Sequence, residues 1–135
     1  MTEAKHAVGL IDTCVLIDLA RLSDNQLPVF VRISTVTLAE LGLGVAVART
    51  DLERLRRAEQ LQEVESSFKT LPFDSSAARR FTLLAGLVTK IGRSPKPRKF
   101  DLMIAAVASA HRLPLYTRNA KDFEGLESVL TIVAV

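Results

Sequence analysis

The sequence predicts an α/β protein with a parallel β-sheet of four to five strands, flanked by helices on both faces. Short apolar runs alternate with longer helical segments along the 135 residues. The first run, Val8–Ile11, contains no polar residue, which is typical of a strand buried on both faces. Strands separated by helices are joined by right-handed crossovers and form parallel sheets. No repeat or linker divides the chain, so we expect one domain over residues 1–135.

The first half of the chain predicts two strands and three helices. Thr13 is expected to cap a short helix after the first strand. Residues 32–36 predict a second strand, and a helix is expected from Thr37. Residues 51–68 form the clearest helix, with many charges that we interpret as a solvated face. Its narrow apolar stripe consists of Leu52, Leu55, Leu61, Val64 and Phe68.

The second half predicts three more strands. Residues 70–73 contain a proline, which cannot donate a sheet hydrogen bond and therefore favours an edge strand. Asp74 or Ser75 is expected to cap a helix that ends at Gly92. Two further apolar runs predict the remaining strands, at residues 113–117 and 129–135.

Composition limits the compartment and the class of protein. The chain is 48% hydrophobic, which indicates a filled core, and its net charge of +3 weakly favours a polyanionic partner. The single cysteine, Cys14, excludes an internal disulfide and a cysteine-rich zinc site, and suits the reducing cytoplasm. Asp12 and Asp18 interrupt the longest early apolar stretch, so we expect no membrane span and no signal peptide.

Four acids are expected to meet at one edge of the sheet. Asp12 ends the first strand, and Glu40 lies in the first turn of the helix after the second strand. Asp101 begins the helix that leads to the fourth strand, and Asp122 follows that strand. Ligands bind beyond the carboxyl ends of parallel strands. Converging carboxylates without histidine or cysteine are hard oxygen ligands, suited to Mg²⁺ or Mn²⁺.

Each acid also has a purely structural explanation. Glu40 fits a capping box with Thr37, and both Asp101 and Asp122 lie where a helix N-cap is expected. Asp12 is harder to explain in this way, because an acid that ends an apolar strand is expensive to bury without a partner. The metal-site hypothesis therefore depends on the joint placement of the four acids.

Four segments carry a resemblance to a known family. They are LIDTCVLI at residues 10–17, TLAELGLG at 37–44, DLMIAA at 101–106 and TRNAKDF at 117–123. Together, and in this order, they resemble the motifs of PIN-domain ribonucleases, and within that group those of the VapC toxins. The chain departs from the family pattern at Cys14, where Ser or Asn is common, and at Phe100, where a small or polar residue is common.

The resemblance implies a set of site residues. Asp12, Glu40, Asp101 and Asp122 would be the catalytic and metal-binding acids, with Mg²⁺ or Mn²⁺ as the cofactor. Thr13, Thr117 and Asn119 would support them, and Asn119 is an alternative to Asp122 at the fourth position. It also implies an endoribonuclease that leaves a 5′-phosphate, acts as a cytoplasmic toxin, forms a homodimer and binds a VapB-type antitoxin.

A basic segment adjoins the predicted acid cluster. Residues 90–99 hold five positive charges and no acid, and two more basic residues flank the fourth motif. If the four acids form one site, the other side chains carry 18 positive and 11 negative charges, a net of +7. This charge favours RNA phosphates as the partner, although a solvated charged surface is the alternative. The candidate RNA-binding residues are Lys90, Arg93, Lys96, Arg98, Lys99, Arg118 and Lys121.

Two other classes of function remain open from the residues alone. A receiver-type phosphotransfer module also gathers acids at the end of a parallel sheet. It needs an aspartate after the third strand, which Asp74 supplies, and a lysine near the last strand, which is absent. A non-catalytic binding protein, in which every acid is a helix cap, is the second alternative.

Overall fold

The structure is a computed structural model that describes residues 6–135, so the first five residues of the expected domain lie outside the described part. Five parallel strands form the sheet: β1 (Val8–Ile11), β2 (Phe30–Ser34), β3 (Lys69–Leu71), β4 (Leu115–Thr117) and β5 (Ile132–Ala134). The α-helices are α1 (Thr13–Ile17), α2 (Thr35–Ala46), α3 (Asp51–Ser67), α4 (Ser75–Lys90) and α5 (Lys99–Ala110). Single turns of 3₁₀ helix lie at Leu19–Arg21, Asp24–Gln26, Lys96–Arg98 and Ala120–Phe123.

The strand order β3-β2-β1-β4-β5 determines where a ligand can bind. The chain runs outward from β1 through β2 to β3, which is an edge strand as predicted, and then returns to β4 on the other side of β1. The direction of winding therefore reverses between β1 and β4. In open α/β sheets a crevice forms at this point, beyond the carboxyl ends of the two strands.

The core lies on both faces of the sheet, as predicted for an α/β/α arrangement. Leu10 and Leu115 pack into a cluster with buried residues of α4 and α5. Ile11 and Tyr116, the next residues along these strands, pack on the other face with Val64 of α3 and residues of α1. Successive strand residues point to opposite faces, so each strand anchors both helical layers.

Two glycines meet requirements of the backbone. A Cβ atom at Gly9 would lie 2.6 Å from Cε1 of Tyr116, so only glycine allows that ring to pack across β1. Gly92 has a φ angle of +83° directly after α4, which agrees with the helix end predicted there.

Several helix starts differ from the sequence predictions. α2 begins at Thr35 with Ser34 as its N-cap, and not at Thr37, because β2 lies two residues earlier than predicted. α1 is capped by Asp12, whose side chain accepts the Thr13 N–H, so the prediction of Thr13 as the cap is wrong. The predicted cap of α4 is confirmed: Asp74 accepts the Ala77 N–H at 3.0 Å.

The apolar stripe of α3 is buried only in its second half. Val64 is buried, and Leu61 and Phe68 are half-buried, whereas Leu52 and Leu55 are 59% and 56% exposed. The first turns of α3 therefore leave apolar surface uncovered. None of the helices in residues 6–135 combines the length and apolar character needed to span a lipid bilayer.

Candidate active site

Asp12 lies in the crevice between β1 and β4 and is held by three donors. It is only 4% exposed. The Thr13 N–H donates to its Oδ1 at 2.7 Å, and the Thr117 hydroxyl donates to its Oδ2 at 3.0 Å. The Cys14 thiol also donates to Oδ2, at 3.4 Å. Burial raises the pKa of Asp12 above its usual value, while these hydrogen bonds act in the opposite direction.

Cys14 provides the hydrogen bond that the family pattern assigns to an oxygen or nitrogen. Burial raises the pKa of the thiol above its ordinary value, which favours the protonated form. A protonated thiol is a weak donor, and its distance of 3.4 Å to Asp12 is suitable for sulfur. The departure at this position therefore keeps a donor beside the carboxylate.

Glu40 is oriented by a relay of threonine hydroxyls. The Thr13 hydroxyl donates to Oε1 of Glu40 at 2.9 Å. Since that hydroxyl has a single proton, Thr37, whose oxygen lies 3.0 Å away, donates to Thr13. The capping-box interpretation of Glu40 is wrong, because Ser34 accepts the Thr37 N–H and Glu40 lies in the second turn of α2. Burial raises the pKa of Glu40, and the charge of Asp12 adds to this.

Asp101 interacts electrostatically with each of the other three acids. It lies in the first turn of α5, after an N-cap at Arg98, so it is not the N-cap itself. Its pKa is raised to about 6, first by burial and then by the negative charges of the other three acids of the cluster. Within residues 6–135 its carboxylate accepts no hydrogen bond. The acids thus come within interaction distance of one another, and Asp101 bears most of their repulsion.

Asp122 pairs with an arginine from the basic segment. Nη1 of Arg98 lies 2.9 Å from Oδ1 of Asp122. This nitrogen is buried, yet it makes no well-aligned hydrogen bond in the described residues. Asp122 lies inside the turn Ala120–Phe123 and is not its cap, contrary to the structural explanation considered above.

Asn119 contributes its backbone to the site. Its N–H donates to the Thr117 hydroxyl at 3.0 Å, while its side chain is exposed. The same hydroxyl donates to Asp12, so Thr117 links the fourth motif to the first. Of the two candidates for the fourth position, only Asp122 is electrostatically coupled to both Asp12 and Asp101.

The carboxylate oxygens of the four acids are the type of ligand that a hard divalent cation prefers. Three of the four acids, however, are turned toward other groups of the protein. In the part of the chain that the structure describes, no three His, Cys, Asp or Glu side chains form a ready-made metal-ligand group. Asp12 and Glu40 are turned toward hydroxyl, thiol and amide donors, and Asp122 is turned toward Arg98. The four carboxylates nevertheless repel one another, and a bound divalent cation relieves such repulsion.

The two basic segments meet beside the acids. Nη1 of Arg93 donates to the Lys121 carbonyl at 3.1 Å, which ties residues 90–99 to the fourth motif. Arg98 reaches the cluster itself through Asp122. The remaining basic residues differ in their contacts. Arg118 pairs with Asp18 at 3.3 Å, and Lys99 Nζ lies 5.7 Å from the centre of the Phe100 ring. The lysines of these two segments are all exposed: Lys90, Lys96, Lys99 and Lys121.

Some contacts of the site had no separate signal in the sequence. The sequence predicts a capping role for Thr37, whereas its spacing to Glu40 places both side chains on one face of α2. The pairings of Arg98 with Asp122 and of Arg118 with Asp18 join residues far apart in the chain. Only the packed structure brings such pairs together.

Comparison with known proteins agrees with the geometry. Residues 9–127 match the PIN domain family. Ribonuclease VapC5 of Mycobacterium tuberculosis is 36% identical over 129 residues, covering 93% of each chain. Ribonuclease VapC1 of Rickettsia felis is 32% identical over 134 residues, covering 91% of this chain and 95% of VapC1. The crystal structure of VapBC-5, a toxin–antitoxin system of M. tuberculosis, aligns with a TM-score of 0.78 and 35% identity, over 96% of this chain and 99% of that chain. The chain therefore belongs to the PIN-domain family and, within it, to the VapC ribonucleases.

Proposed function

We propose that this chain is a Mg²⁺- or Mn²⁺-dependent endoribonuclease that acts as the toxin of a type II toxin–antitoxin pair, with residues 1–135 as one domain. The observation that carries the proposal is the convergence of four carboxylates: burial first, and then the charges of Asp12, Glu40 and Asp122, raise the pKa of Asp101 to about 6. Mutually repelling carboxylates in a crevice favour a site that binds a cation.

Asp12 and Asp101 are the proposed primary ligands of the cation, and Glu40 and Asp122 complete its surroundings. When bound, the divalent ion lowers the pKa of a water molecule and offsets the charge that develops on the phosphate. Hard carboxylate oxygens match both Mg²⁺ and Mn²⁺. Asp12 keeps a fixed position, because its oxygens already accept three hydrogen bonds.

Glu40 orients the attacking water and accepts its proton. Its raised pKa makes it a stronger base than an ordinary glutamate, and Thr13 limits its rotation. Arg98 binds the phosphate that is cleaved. Nη1 pairs with Asp122, but the side chain is 37% exposed, so other N–H groups of the guanidinium can donate to a phosphate oxygen.

The exposed lysines hold the RNA strand on either side of the cleaved bond. Lys96, Lys99 and Lys121 lie on the two basic segments that Arg93 ties together. Contacts between lysines and phosphates release counterions, so binding weakens as the salt concentration rises. Cleavage would leave a 5′-phosphate and a 3′-hydroxyl, as the family resemblance implies.

The proposed protein partners are a VapB-type antitoxin and a second copy of the chain. The structural relative VapBC-5 is a toxin–antitoxin complex. Large apolar side chains are exposed on α1, α2 and α3 and at the C-cap of α2, where a partner can cover them: Ile17, Leu43, Val47, Leu52 and Leu55. As a toxin the protein would stop growth by cutting RNA needed for translation, and it would act in the cytoplasm, where that RNA is found.

The other classes of function have weaker support. In a receiver-type module Asp74 would accept a phosphoryl group, but here its carboxylate caps α4 beside the edge strand. In a protein whose acids are all caps, Glu40, Asp101 and Asp122 would each start a helix, and none of them does.

The test is a map of cleavage sites on total RNA. Wild-type protein with Mg²⁺ or Mn²⁺ is expected to produce new 5′-phosphate ends that are absent with a chelator and absent for Asp12→Asn. Equal cleavage by Asp12→Asn, or cleavage that survives the chelator, would overturn the proposal. Expression of the wild-type chain is expected to stop growth, and co-expression of the antitoxin is expected to restore it.

A further inference from the structure

A groove of about 340 Å³ opens beside the acid cluster, between α1, α2 and α3. Thr13 and Glu40, which belong to the cluster, form one end of it. Ile17 and Leu41 supply apolar surface, and Arg57 and Gln60 of α3 form the other end. We call this the α2–α3 groove. A larger groove of about 500 Å³ lies at the amino end of β4 and contains none of the four acids. Of these two grooves, the α2–α3 groove is the one that adjoins the acid cluster.

Arg57 presents a fixed, flat surface in the groove. Its Nη1 donates to the Gly44 carbonyl at 2.6 Å, and its Nη2 forms an ion pair with Glu53. These two contacts fix the orientation of the guanidinium plane, and the ion pair offsets its charge. Such a group is poorly suited to bind a phosphate. Its planar face is instead suited to stacking, since unpaired RNA bases stack on arginine planes as they do on aromatic rings.

Gln60 adds an unpaired amide to the same end of the groove. Within residues 6–135 it makes no hydrogen bond, and it offers two N–H donors and one carbonyl acceptor. An amide of this kind can pair with the polar edge of a nucleobase. Ile17, which is 62% exposed, provides the apolar surface that a base covers when it leaves the RNA stack.

These features match one ligand better than others. A nucleobase is flat, has apolar faces and carries donors and acceptors along its edge, and the groove offers a flat cation, apolar side chains and an amide. We infer that the α2–α3 groove binds one nucleobase of the RNA strand, next to the phosphodiester that is cleaved, and that Gln60 and Arg57 select this base. The inference rests on the proposed ribonuclease function and adds to it a residue-level source of sequence preference.

Two variants and a matched control test the inference. Gln60→Ala removes the amide from the groove. Gly44→Ala narrows the groove: a Cβ there would lie 3.8 Å from Nη1 of Arg57, an ordinary contact that the fold tolerates. Alanine also has a higher helix propensity than glycine, so we expect Gly44→Ala to fold and its effect to come from the change in the groove. Gln62→Ala is the control, because Gln62 is exposed on the same helix and does not line the groove.

The measurement is the frequency of each base around the cut in a randomised RNA library, with Mg²⁺ present. We expect wild-type protein and Gln62→Ala to share a preference at one position beside the cut. Gln60→Ala should reduce that preference about 5- to 10-fold, as expected for the loss of an amide–base contact. Gly44→Ala should shift the preference toward the smaller pyrimidine bases.

Three results would overturn the inference. One is a wild-type chain that cleaves with Mg²⁺ but shows no preference beside the cut. Another is the same preference in all four proteins, and this result leaves the proposed ribonuclease function intact. The third is an unchanged base preference together with weaker antitoxin binding by Gln60→Ala. This result would show that a segment of the antitoxin, and not a nucleobase, binds in the groove. Absence of any cleavage by wild-type protein would contradict the proposed function itself.

Discussion

The two sides of the acid cluster stabilise their negative charges differently. On the β1 side, Asp12 is buried but accepts hydrogen bonds from an amide, a hydroxyl and a thiol. On the α5 side, Asp101 accepts none within residues 6–135, and its pKa is raised to about 6 by burial and by the neighbouring carboxylates. Both residues lie at the same end of one sheet. The fold therefore supplies hydrogen bonds to one carboxylate and none to the other.

This difference suggests separate roles for Asp12 and Asp101 in the proposed metal site. A carboxylate with three donors is fixed in position before any ligand arrives, so Asp12 supplies geometry. A carboxylate without donors is less stable when ionised and gains most from a bound cation, so in the proposed metal site Asp101 would supply affinity. The ion pair of Arg98 with Asp122 lies beside Asp101 and partly offsets the repulsion there.

Asp12→Asn is expected to have the largest effect. The amide keeps the cap of α1, because asparagine is as good an N-cap as aspartate, but it removes the charge on the β1 side. We expect RNA cleavage with Mg²⁺ to fall by at least about 100-fold, the scale of losing a directly acting group. The measurement is the initial rate on a labelled RNA. Asp74→Asn is the matched control, since Asp74 also caps a helix but lies outside the cluster. Equal losses in both variants would contradict a special role for Asp12.

Arg98→Ala tests how much the positive charge on the α5 side of the cluster contributes to cleavage. Loss of the guanidinium leaves the phosphate without its proposed donor and Asp122 without its ion-pair partner, and we expect cleavage to fall about 10- to 100-fold. Lys96→Ala, in the same turn but exposed, should change the rate far less at moderate salt. Rates measured for both variants across a salt series separate the two roles. A loss for Lys96→Ala as large as that for Arg98→Ala would show that only the overall charge matters.

Thr117→Val tests how firmly the β1 side is held. The variant keeps the side-chain shape but removes the hydroxyl that donates to Asp12 and accepts the Asn119 N–H. We expect the free energy of unfolding to fall by about 1–3 kcal/mol, because buried polar groups lose their partner. Urea unfolding measures the change, with Thr131→Val as an exposed control. If the two valine variants have equal stability, the hydroxyl is not needed to hold Asp12.

Asp101→Asn should have the smallest effect on stability in the absence of metal, and this effect is opposite in sign to that of Thr117→Val. The pKa of Asp101 is raised from 3.8 to about 6 in the folded protein, so its contribution to stability is present below pH 3.8 and is lost as pH rises through about 6. Without metal, the variant should therefore be more stable than wild type at neutral pH, by about 1 kcal/mol after allowance for partial solvent exposure. The difference should vanish at the acid end of the range. Urea unfolding at several pH values in a chelator measures it, and a less stable variant at neutral pH would contradict the assignment.

The sequence was sufficient to predict the sheet and the meeting of the acids. Alternating apolar and helical segments indicate parallel strands, and topology alone brings residues that follow β1 and β4 to one edge. Local signals were insufficient where two residues compete for one role. Ser34 and Thr37 are both good N-cap residues, and the position of β2 decides between them. Had Thr37 been the cap, Glu40 would have turned toward the backbone and away from Asp12.

Contacts between segments that are far apart in the chain could also not be predicted from the sequence. The charged face of α3 was interpreted as solvated, yet Arg57 and Gln60 line a groove that reaches Thr13 of α1. Similarly, the donor at Cys14 and the pairing of Arg98 with Asp122 depend on side-chain packing, which follows from the whole fold. Residue type predicts which interactions a side chain can make, and packing determines which partner it contacts.

The most direct test of the cation site is thermal unfolding with increasing Mn²⁺, for wild-type protein and for Asp101→Asn at neutral pH. A ligand that binds only the folded state raises the unfolding temperature, and the increase grows with the logarithm of the ligand concentration divided by its Kd once the site is saturated. We expect wild-type protein to be stabilised progressively by Mn²⁺, and Asp101→Asn, although more stable without metal, to gain little. Equal stabilisation of both proteins, or none of wild type, would contradict the claim that the four acids form one metal centre.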